Sequence, residues 1–585
     1  MKFSQLALYY EKIEQTSSRL EITNLLAELF KKLTPEEIEK TTYLLQGRVL
    51  PLFEKTEFGM AERTIIKSII LALNLERGYF DKEYKKLGDL GKTVEQFKKQ
   101  YASFEEKDLE VLEVYQELYR LATSSGDGSN DVKTSILTTL IRQLDALSCR
   151  YLVRIPQGIM RLGFSDMTVL DSLSWAIVGD KSLRPQIENA YHVRPDLGYI
   201  GRILKEKGIK GIKSIEPKVF TPIIMMRAER LSSGEEIVKQ IGKCAIENKY
   251  DGFRLQVHCK RSQNSKLITH NLEVKLYSRN LEDVTYMYPD LVEGVKKQIT
   301  ADEVIFEGEA IGFNPQTKEL LPFQETVQRK RKYDIEEKAK EIPLKLFIFE
   351  ILFFEGVNYI HKPFNERRNK LEEIIKTDNN LLTQTVILSP QILTDDGIKI
   401  ESLFDEAVSK NLEGIIAKKL DGVYQPGARG WNWIKFKKSY SAKIEDTIDC
   451  IVMGYDLGKG KRTDFGIGAF LVGIYDEKKE IFVTVAKIGT GLTDEEWREL
   501  QVKSQKLKVK SKPANYFVDK MMACDIWVTP KIVVEIKADE ITKSPVHTAG
   551  LALRFPRLEH FRDDKKPEDT TSLNEVEKMY ERQKV

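Results

Sequence analysis

Apolar residues in roughly the first third of the chain recur at the spacing of an α-helix. Phe3, Leu6, Tyr10 and Ile13 follow one another at intervals of three or four residues, which places them on one helical face. The sequence Thr-Pro-Glu-Glu at residues 34–37 supplies an N-cap, a proline at the first helical position and a capping-box glutamate. The pattern therefore predicts a block of helices up to about residue 215.

From about residue 220 the pattern changes to short runs in which apolar and polar residues alternate, and such runs predict β-strands. They occupy residues 244–249, 272–277, 304–309 and 345–354. A third region, from Ser441, contains more predicted strands between glycine-rich turns and closes with a capping box at 572–575 that predicts a short helix. We expect three domains: an α-helical domain (1–218), an α/β domain (219–440) and a β-rich domain (441–585).

Composition narrows the class of protein. The chain has 585 residues, which is too long for one core. Its 92 Lys+Arg nearly balance its 89 Asp+Glu, so any nucleic-acid surface must be a local basic patch. The five cysteines are scattered without a C-x-x-C pair, which argues against a disulfide framework or a zinc module. No apolar run is long enough to cross a bilayer, and we expect a soluble, intracellular, cytoplasmic protein.

The residues with the clearest chemical meaning surround Lys249. The sequence Lys249-Tyr250-Asp251-Gly252 follows a predicted strand, and Arg254 comes two residues later. A lysine among cations can lose its proton and attack a phosphate. Because strand side chains alternate between faces, Glu247 shares a face with Lys249, Glu307 with Glu309, and Lys435 with Lys437. Charge on one side of these strands and apolar residues on the other suit a phosphate-handling cleft above a core.

The Lys-Tyr-Asp-Gly sequence resembles the active-site signature of the covalent nucleotidyltransferases, which include DNA ligases, RNA ligases and mRNA capping enzymes. Further segments resemble the other motifs of that superfamily, in order: 278–280 (Ser-Arg-Asn), 306–310 (Phe-Glu-Gly-Glu-Ala), 349–350 (Phe-Glu), 413–418 (Glu-Gly-Ile-Ile-Ala-Lys), 424–437, and 554–565, which begins Arg-Phe-Pro-Arg. The whole chain is most similar to the ATP-dependent DNA ligases of archaeal and eukaryotic type. That resemblance implies an α-helical DNA-binding domain, an α/β adenylation domain and a β-barrel OB-fold domain with a C-terminal helix.

The resemblance also implies roles for individual residues. Lys249 would attack the α-phosphate of ATP and form a lysyl-AMP. Those implied to contact the nucleotide are Glu247 at the adenine amino group, Phe349 on the base, Arg254, Arg279 and Glu309 around the ribose, and Arg429, Lys435 and Lys437 near the phosphates. Glu309, Glu413 and Asp251 would hold Mg²⁺, and Arg554, Arg557 and Lys565 would stabilise the pyrophosphate. Strand alternation puts Lys418 on the face opposite Glu413, which leaves Lys418 outside this set.

The implied partner is nicked double-stranded DNA, bound by a monomer that contacts mainly phosphates. The loop at 126–129, which ends at Ser129, and Lys133 after it resemble a backbone-binding loop of the family's helical domain. Residues 100–104 (Gln-Tyr-Ala-Ser-Phe) loosely resemble peptides that dock on a sliding clamp, although an ordinary helix-to-loop stretch explains them equally well. The basic cluster at 329–332 is as compatible with a solvated helix face as with a DNA contact.

Several alternatives stay open. Lys-x-Asp-Gly also occurs in ordinary surface turns, and Phe349 is also compatible with a place in the core. An mRNA capping enzyme would share the core motifs and use GTP, but it would not explain the helical region. A catalytically silent nucleic-acid scaffold would keep the fold, yet it need not retain Lys249, Glu309 and Glu413 together. NAD dependence is disfavoured because the zinc-binding cysteines of that class are missing.

Overall fold

The structure is a computed structural model that describes residues 1–101, 106–261, 272–331, 333–377, 380–410, 412–437, 447–458 and 465–582. The chain divides into two compact units, Met1–Phe436 and Lys437–Val585, and each is described by itself. Within the described residues, no helix combines the length and the apolar character that a membrane span needs.

The N-terminal part of the first unit is helical, as the pattern predicts. Its helices are α1 (Phe3–Glu14), α2 (Arg19–Lys32), α3 (Pro35–Leu45), α4 (Glu62–Leu73), α5 (Arg77–Leu87), α6 (Leu90–Gln100), α7 (Val111–Thr123), α8 (Ser129–Gln143), α9 (Ala146–Gln157), α10 (Asp166–Val178), α11 (Arg184–Val193) and α12 (Leu197–Lys213). Thr34 caps α3 and Glu37 closes the capping box. Phe3, Leu6, Tyr10 and Ile13 are fully buried in one core shared by these helices.

The rest of the first unit is α/β. Its strands are β1 (Arg227–Arg230), β2 (Cys244–Lys249), β3 (Phe253–Arg261), β4 (Leu272–Ser278), β5 (Glu303–Asn314), β6 (Glu319–Leu320), β7 (Leu344–Phe354), β8 (Val357–Asn358), β9 (Val386–Leu388), β10 (Gln391–Thr394), β11 (Gly414–Lys419) and β12 (Arg429–Lys437). Its helices are α13 (Gly234–Ile241), α14 (Pro289–Gln298), α15 (Phe323–Thr326), α16 (Ile335–Glu341), α17 (Phe364–Glu373) and α18 (Gly397–Ser409). The strands found in the sequence correspond to β2, β4, β5 and β7.

These strands form two sheets. One has the order β1-β12-β11-β2-β10, and the other has the order β4-β3-β5-β7-β8 with β6 beside β5 and β9 beside β7. The first sheet packs on α13 and α18 through residues such as Ile237 and Phe404, and the second buries its own apolar face on α14 and α17. Tyr250, directly after β2, stacks on Phe347 of β7 with ring centroids 4.1 Å apart. This contact joins the end of β2 to the second sheet.

The second unit is a curled sheet with a C-terminal helix. It contains β13 (Ile448–Leu457), β14 (Ile467–Asp476), β15 (Ile481–Ile488), α19 (Asp494–Gln505), β16 (Lys508–Val509), β17 (Tyr516–Phe517), β18 (Ile526–Val528), β19 (Val533–Lys537), β20 (Glu540–Lys543), β21 (Leu551–Arg554), β22 (Arg557–Phe561) and α20 (Leu573–Arg582). The main sheet has the order β16-β18-β13-β14-β15-β17, with β19 and β22 added at β13. Register shifts in the β13–β14, β14–β15 and β19–β22 pairs curl it into a half-barrel. The predicted combination of helical, α/β and OB-type sheet domains is confirmed.

Candidate active site

Lys249 lies at the end of β2, where that strand pairs with the start of β11. Lys249 is opposite Gly414 in the ladder, and the Glu413 amide donates a hydrogen bond of 3.0 Å to the Lys249 carbonyl. The Lys249 ammonium forms an ion pair with the Glu413 carboxylate. The site therefore already contains a carboxylate that can take a proton from this lysine.

The surroundings of Lys249 lower the pKa of its ammonium. Burial is the main cause of the lowered pKa of Lys249, and the guanidinium groups of Arg254 and Arg279 lower it further. Glu309 and Asp251 act in the opposite direction. Sequence reasoning found the neighbouring cations but not the larger contribution of burial, because a strand-end lysine gives no sign in the sequence of how deeply it is enclosed.

Glu309 faces the same space from the second sheet. It is opposite Arg254 in the β3–β5 ladder. Burial raises the pKa of Glu309 to about 7, with Asp251 adding to the rise and Lys249 and Arg254 opposing it. Glu309 therefore changes charge near neutral pH, which suits a group that exchanges a proton or a cation.

Glu247, two residues before Lys249, is buried at the other end of the site. Its Oε2 is 2.9 Å from the Lys418 ammonium, and its Oε1 is 3.7 Å from Arg368 Nη1. Within the described part of the chain, that Oε1 has no hydrogen-bond partner. Burial raises the pKa of Glu247, and Lys418 opposes the rise. An enclosed carboxylate oxygen with an unused acceptor fits the predicted contact with an adenine amino group.

The exclusion of Lys418 from the site was wrong. Lys418 is buried, pairs with Glu247, and donates a hydrogen bond of 2.8 Å to the Phe349 carbonyl. Alternation fails here because β11 begins only at Gly414, whose φ of 142° breaks the regular backbone. Glu413 therefore lies outside the alternating part of the strand, and both Glu413 and Lys418 reach the β2 face that carries Glu247 and Lys249.

Phe349 is half-buried on β7 beside this pair. Its ring meets Trp433 edge to face, with centroids 6.0 Å apart. The Arg254 guanidinium is 5.4 Å from the Phe349 ring and the Lys418 ammonium is 4.9 Å from it. Phe349 therefore belongs to an aromatic and cationic wall of the site. Stacking on a base stays a prediction.

The predicted phosphate-contacting residues lie on and around β12. Arg429 begins that strand, opposite Arg227 of β1, and Lys435 is opposite Arg230. Burial lowers the pKa of Lys435, and Arg429 and Lys249 lower it further. Lys437 ends β12 and begins the second compact unit. Arg279 is exposed just after β4 and lines a cleft with His192 and Arg227.

The predicted metal ligands do not form a complete protein cage. Among the described residues, no group of three or more His, Cys, Asp or Glu side chains is arranged to hold a metal ion. Glu309 and Asp251 act on the same lysine, and Glu413 is paired with it. Mg²⁺ commonly binds to one or two carboxylates together with water and substrate phosphates, so these carboxylates fit such an ion.

The three predicted pyrophosphate residues belong to the second unit. Arg554 ends β21, and its guanidinium is 5.4 Å from the Phe555 ring. Arg557 Nη2 is 2.5 Å from Asp539, and Lys565 Nζ is 2.5 Å from Asp449. Two of the three cations are therefore paired with carboxylates of their own domain.

The structure bears on the candidate DNA contacts of the first unit. Lys133 on α8 is buried, and its ammonium donates a hydrogen bond of 2.7 Å to the Phe58 carbonyl, so it is not presented to a phosphate. Arg329 is buried and paired with Asp290, so neither of the two alternatives left open for 329–332, a solvated helix face or a DNA contact, fits this residue. Ser129 is the first residue of α8, so its place in a phosphate-binding loop stays a prediction. Residues 102–104 of the suggested clamp peptide lie outside the described residues.

Comparison with known proteins gives the family of this chain. Three family models match it: "DNA ligase N terminus" at residues 2–174, "ATP dependent DNA ligase domain" at 225–437 and "ATP dependent DNA ligase C terminal region" at 463–565. A "Probable DNA ligase" of Dictyoglomus turgidum is 48% identical, with 100% of this chain and 98% of the relative covered.

Archaeal proteins are also similar. The DNA ligase of Sulfurisphaera tokodaii is 40% identical, over 99% of this chain and 97% of the relative. The solved structure described as Pmar-Lig_PreS3 has a similar fold, with 17% identity, a TM-score of 0.53, and 95% of this chain and 99% of that chain covered. With all three family models matched in order and relatives aligned over its full length, the chain belongs to the ATP-dependent DNA ligases, which seal nicks in DNA.

Proposed function

We propose that Lys249 is the residue that becomes adenylylated in this ligase. The observation that carries the proposal is the position of its ammonium, which is half-buried and paired with Glu413, with Arg254 and Arg279 nearby. In the first step the Lys249 Nζ–phosphorus bond forms, the bond from the α-phosphorus to the bridging oxygen breaks, and pyrophosphate leaves. The proton of the ammonium passes to the carboxylate of Glu413, which is in contact with it.

The remaining steps are two further displacements at phosphorus. The AMP passes from Lys249 to the 5′-phosphate of a nick, which frees the lysine to take its proton back. The 3′-hydroxyl then attacks that phosphate, the phosphodiester bond forms and AMP leaves. Positioning and charge neutralisation supply most of the catalysis in such reactions.

The other site residues divide between the base and the phosphates. Glu247 accepts a hydrogen bond from the adenine 6-amino group through its unused Oε1, which favours ATP over GTP. Phe349 stacks on the base. The proposed ribose contacts are Arg254, Arg279 and Glu309, and the proposed phosphate contacts are Arg429, Lys435 and Lys437. When bound, Mg²⁺ on Glu309, Glu413 and Asp251 would neutralise charge on the phosphates.

We assign the chain division 1–218, 219–440 and 441–585 to DNA binding, adenylation and the OB-fold domain. Arg554, Arg557 and Lys565 of the last domain stabilise the pyrophosphate leaving group. The enzyme acts as a monomer on nicked duplex DNA, and the main-chain amides of residues 126–129 bind a backbone phosphate. Residues 100–104 contact a sliding clamp.

The test is the intact mass of the purified full chain after incubation with Mg²⁺ and ATP, GTP or NAD, each separately, on protein first treated with pyrophosphate. We expect one AMP adduct from ATP alone, and none in Lys249→Ala. Lys249→Arg should also form none, since an arginine side chain stays protonated. An adduct from GTP would place the chain's activity in the capping class, and no adduct with any nucleotide would refute the role of Lys249.

A further inference from the structure

One face of β3 carries a row of three polar side chains, of which only Arg254 has been given a role above. Arg254, Gln256 and His258 alternate along the strand and therefore point to the same side. Gln256 and His258 are completely buried. Buried polar side chains of this kind are retained at a desolvation cost, so their hydrogen-bond partners indicate what they do.

His258 ties this row to the segment at 220–226, which joins the helical part of the unit to β1. The Phe220 amide donates a hydrogen bond of 2.9 Å to His258 Nδ1. The ring proton must then be on Nε2, which lies 2.9 Å from Gln256 Oε1 and donates to it. Burial lowers the pKa of His258 to about 3, so the imidazole is neutral in this arrangement. The orientation of the Gln256 amide follows from this tautomer.

Gln256 uses its whole amide. Besides the bond from His258, its Oε1 accepts a hydrogen bond of 2.7 Å from the Ile223 amide. Its Nε2 donates to the Ile223 carbonyl at 3.1 Å and to Glu307 Oε1 at 3.1 Å. Gln256 therefore links the 220–226 segment to Glu307, whose own side chain is completely buried.

Glu307 in turn holds Arg254. Arg254 Nη2 donates to Glu307 Oε2 at 2.5 Å, and Tyr424 donates its hydroxyl proton to the same carboxylate at 3.1 Å. Arg254 Nη1 donates to the Met226 carbonyl at 2.7 Å. The guanidinium is thus fixed from two directions by the same segment: directly at Met226, and through Gln256 and Glu307.

We infer that Gln256 is a positioning residue for the nucleotide site. Its hydrogen bonds to Ile223 and to Glu307 make the position of the Arg254 guanidinium depend on the position of residues 220–226. The inference rests on the proposed function, in which Arg254 contacts the ribose of ATP. It also gives the joining segment a part in nucleotide binding.

The test is a double-mutant cycle on the full chain, with the dissociation constant of α,β-methylene-ATP measured by calorimetry. This analogue cannot transfer AMP, so binding is measured apart from the chemistry. Gln256→Leu removes the Nε2 donor from Glu307 Oε1, and we expect nucleotide affinity to fall about tenfold, as it should in Arg254→Ala. In the Arg254→Ala background, Gln256→Leu should change affinity by less than about twofold.

Gln298→Leu is the matched control. Gln298 is also a buried glutamine whose amide bonds to the backbone on both sides, accepting from Thr385 and Val386 and donating to Val386 and Lys376. Its hydrogen bonds within the described residues go to this backbone and not to Arg254 or Glu307. A similar loss of nucleotide affinity in this control, or additive losses in the Gln256 and Arg254 double variant, would overturn the inference. Failure of the wild type to form an AMP adduct would instead refute the proposed function, because the binding cycle does not depend on adduct formation.

Two milder variants keep the test decisive if Gln256→Leu does not fold. In His258→Gln, the side-chain amide nitrogen takes the place of Nε2 and can still donate a hydrogen bond to Gln256. In His258→Asn, the side-chain oxygen takes the place of Nδ1 and can accept from the Phe220 amide, but the shorter side chain does not reach Gln256. We expect nucleotide affinity near that of the wild type in His258→Gln and a clear loss in His258→Asn. Equal affinities in the two variants would show that the bond to Gln256 does not matter for nucleotide binding.

Discussion

The buried pair between Lys418 and Glu247 provides the sharpest test of how the end of the site proposed to hold the base is built. The Lys418 side chain is 2% exposed and that of Glu247 is 3% exposed. Replacing Lys418 by Met keeps most of the volume and removes the cation. Breaking a buried pair by removing one partner typically costs about 3–5 kcal/mol, because the other charge is left without compensation. Arg368 stays near the carboxylate, so we expect a loss near 3 kcal/mol at pH 8.

The loss should depend on pH with a definite sign. Burial already raises the pKa of Glu247, and removing Lys418 takes away a group that opposes the rise. Below the ordinary glutamate pKa, Glu247 is protonated in both the folded and the unfolded chain, so no charge is buried and the penalty is absent. As pH rises above that value, only the unfolded chain releases the proton, and the penalty grows until Glu247 ionises in the folded chain as well.

The assay is urea unfolding of Lys418→Met and of the wild type at pH 8 and pH 5, compared through the transition midpoints. The double variant Lys418→Met with Glu247→Leu is the control, since replacing both partners by apolar groups is often close to neutral. A Lys418→Met midpoint equal to that of the wild type at pH 8, or a loss of the same size at both pH values, would refute the reasoning. The variant should also discriminate less between ATP and GTP, because a protonated Glu247 can donate a hydrogen bond to guanine.

Three further predictions concern other parts of the site. The rate of self-adenylylation should rise with pH to a midpoint below the ordinary lysine pKa. Glu309→Gln should move that midpoint to lower pH, since Glu309 raises the pKa of Lys249. Single-turnover rates measured between pH 6 and 10 would show an unmoved midpoint if Glu309 did not act on Lys249. Arg554→Ala should slow adenylylation more than sealing of a pre-adenylylated nick, and equal losses in the two assays would contradict its role at the pyrophosphate. Gly427→Ala should cost about 1–3 kcal/mol of stability and slow adenylylation, because φ is +67° there and a Cβ would lie 2.6 Å from the His192 ring. An unchanged melting temperature and adenylylation rate would show that residue 427 need not be glycine.

Much of the fold follows from short-range patterns in the sequence. Apolar spacing predicts the N-terminal helices, and Thr34 predicts a helix start that the structure contains. Alternation predicts β2, β4, β5 and β7, although β4 alone alternates between buried and more exposed residues and both β5 and β7 are buried on both faces. The pairing of those strands into two sheets depends on contacts between distant parts of the chain, for which a single sequence carries no local signal.

The site is predicted less evenly than the fold. Motif order identifies Lys249, Glu309 and Glu413, but it does not reveal that Glu413 pairs with Lys249. Lys133 is of the residue type that contacts phosphates, yet its ammonium donates a hydrogen bond to the buried Phe58 carbonyl. Nothing local separates a lysine at the surface from one that caps a buried carbonyl, so burial had to come from the structure.

Irregular backbone explains both the position of the site and the main error in predicting it. The β1–β12 ladder shifts register between Ala228 and Glu229, and the β5–β7 ladder shifts between Glu307 and Gly308. Gly414 breaks the start of β11 with its φ of 142°. Such irregularities re-aim side chains and are common beside active sites. A regular alternation places Glu413 and Lys418 on opposite faces. The break at Gly414 gives both side chains access to β2, so that Glu413 meets Lys249 and Lys418 meets Glu247.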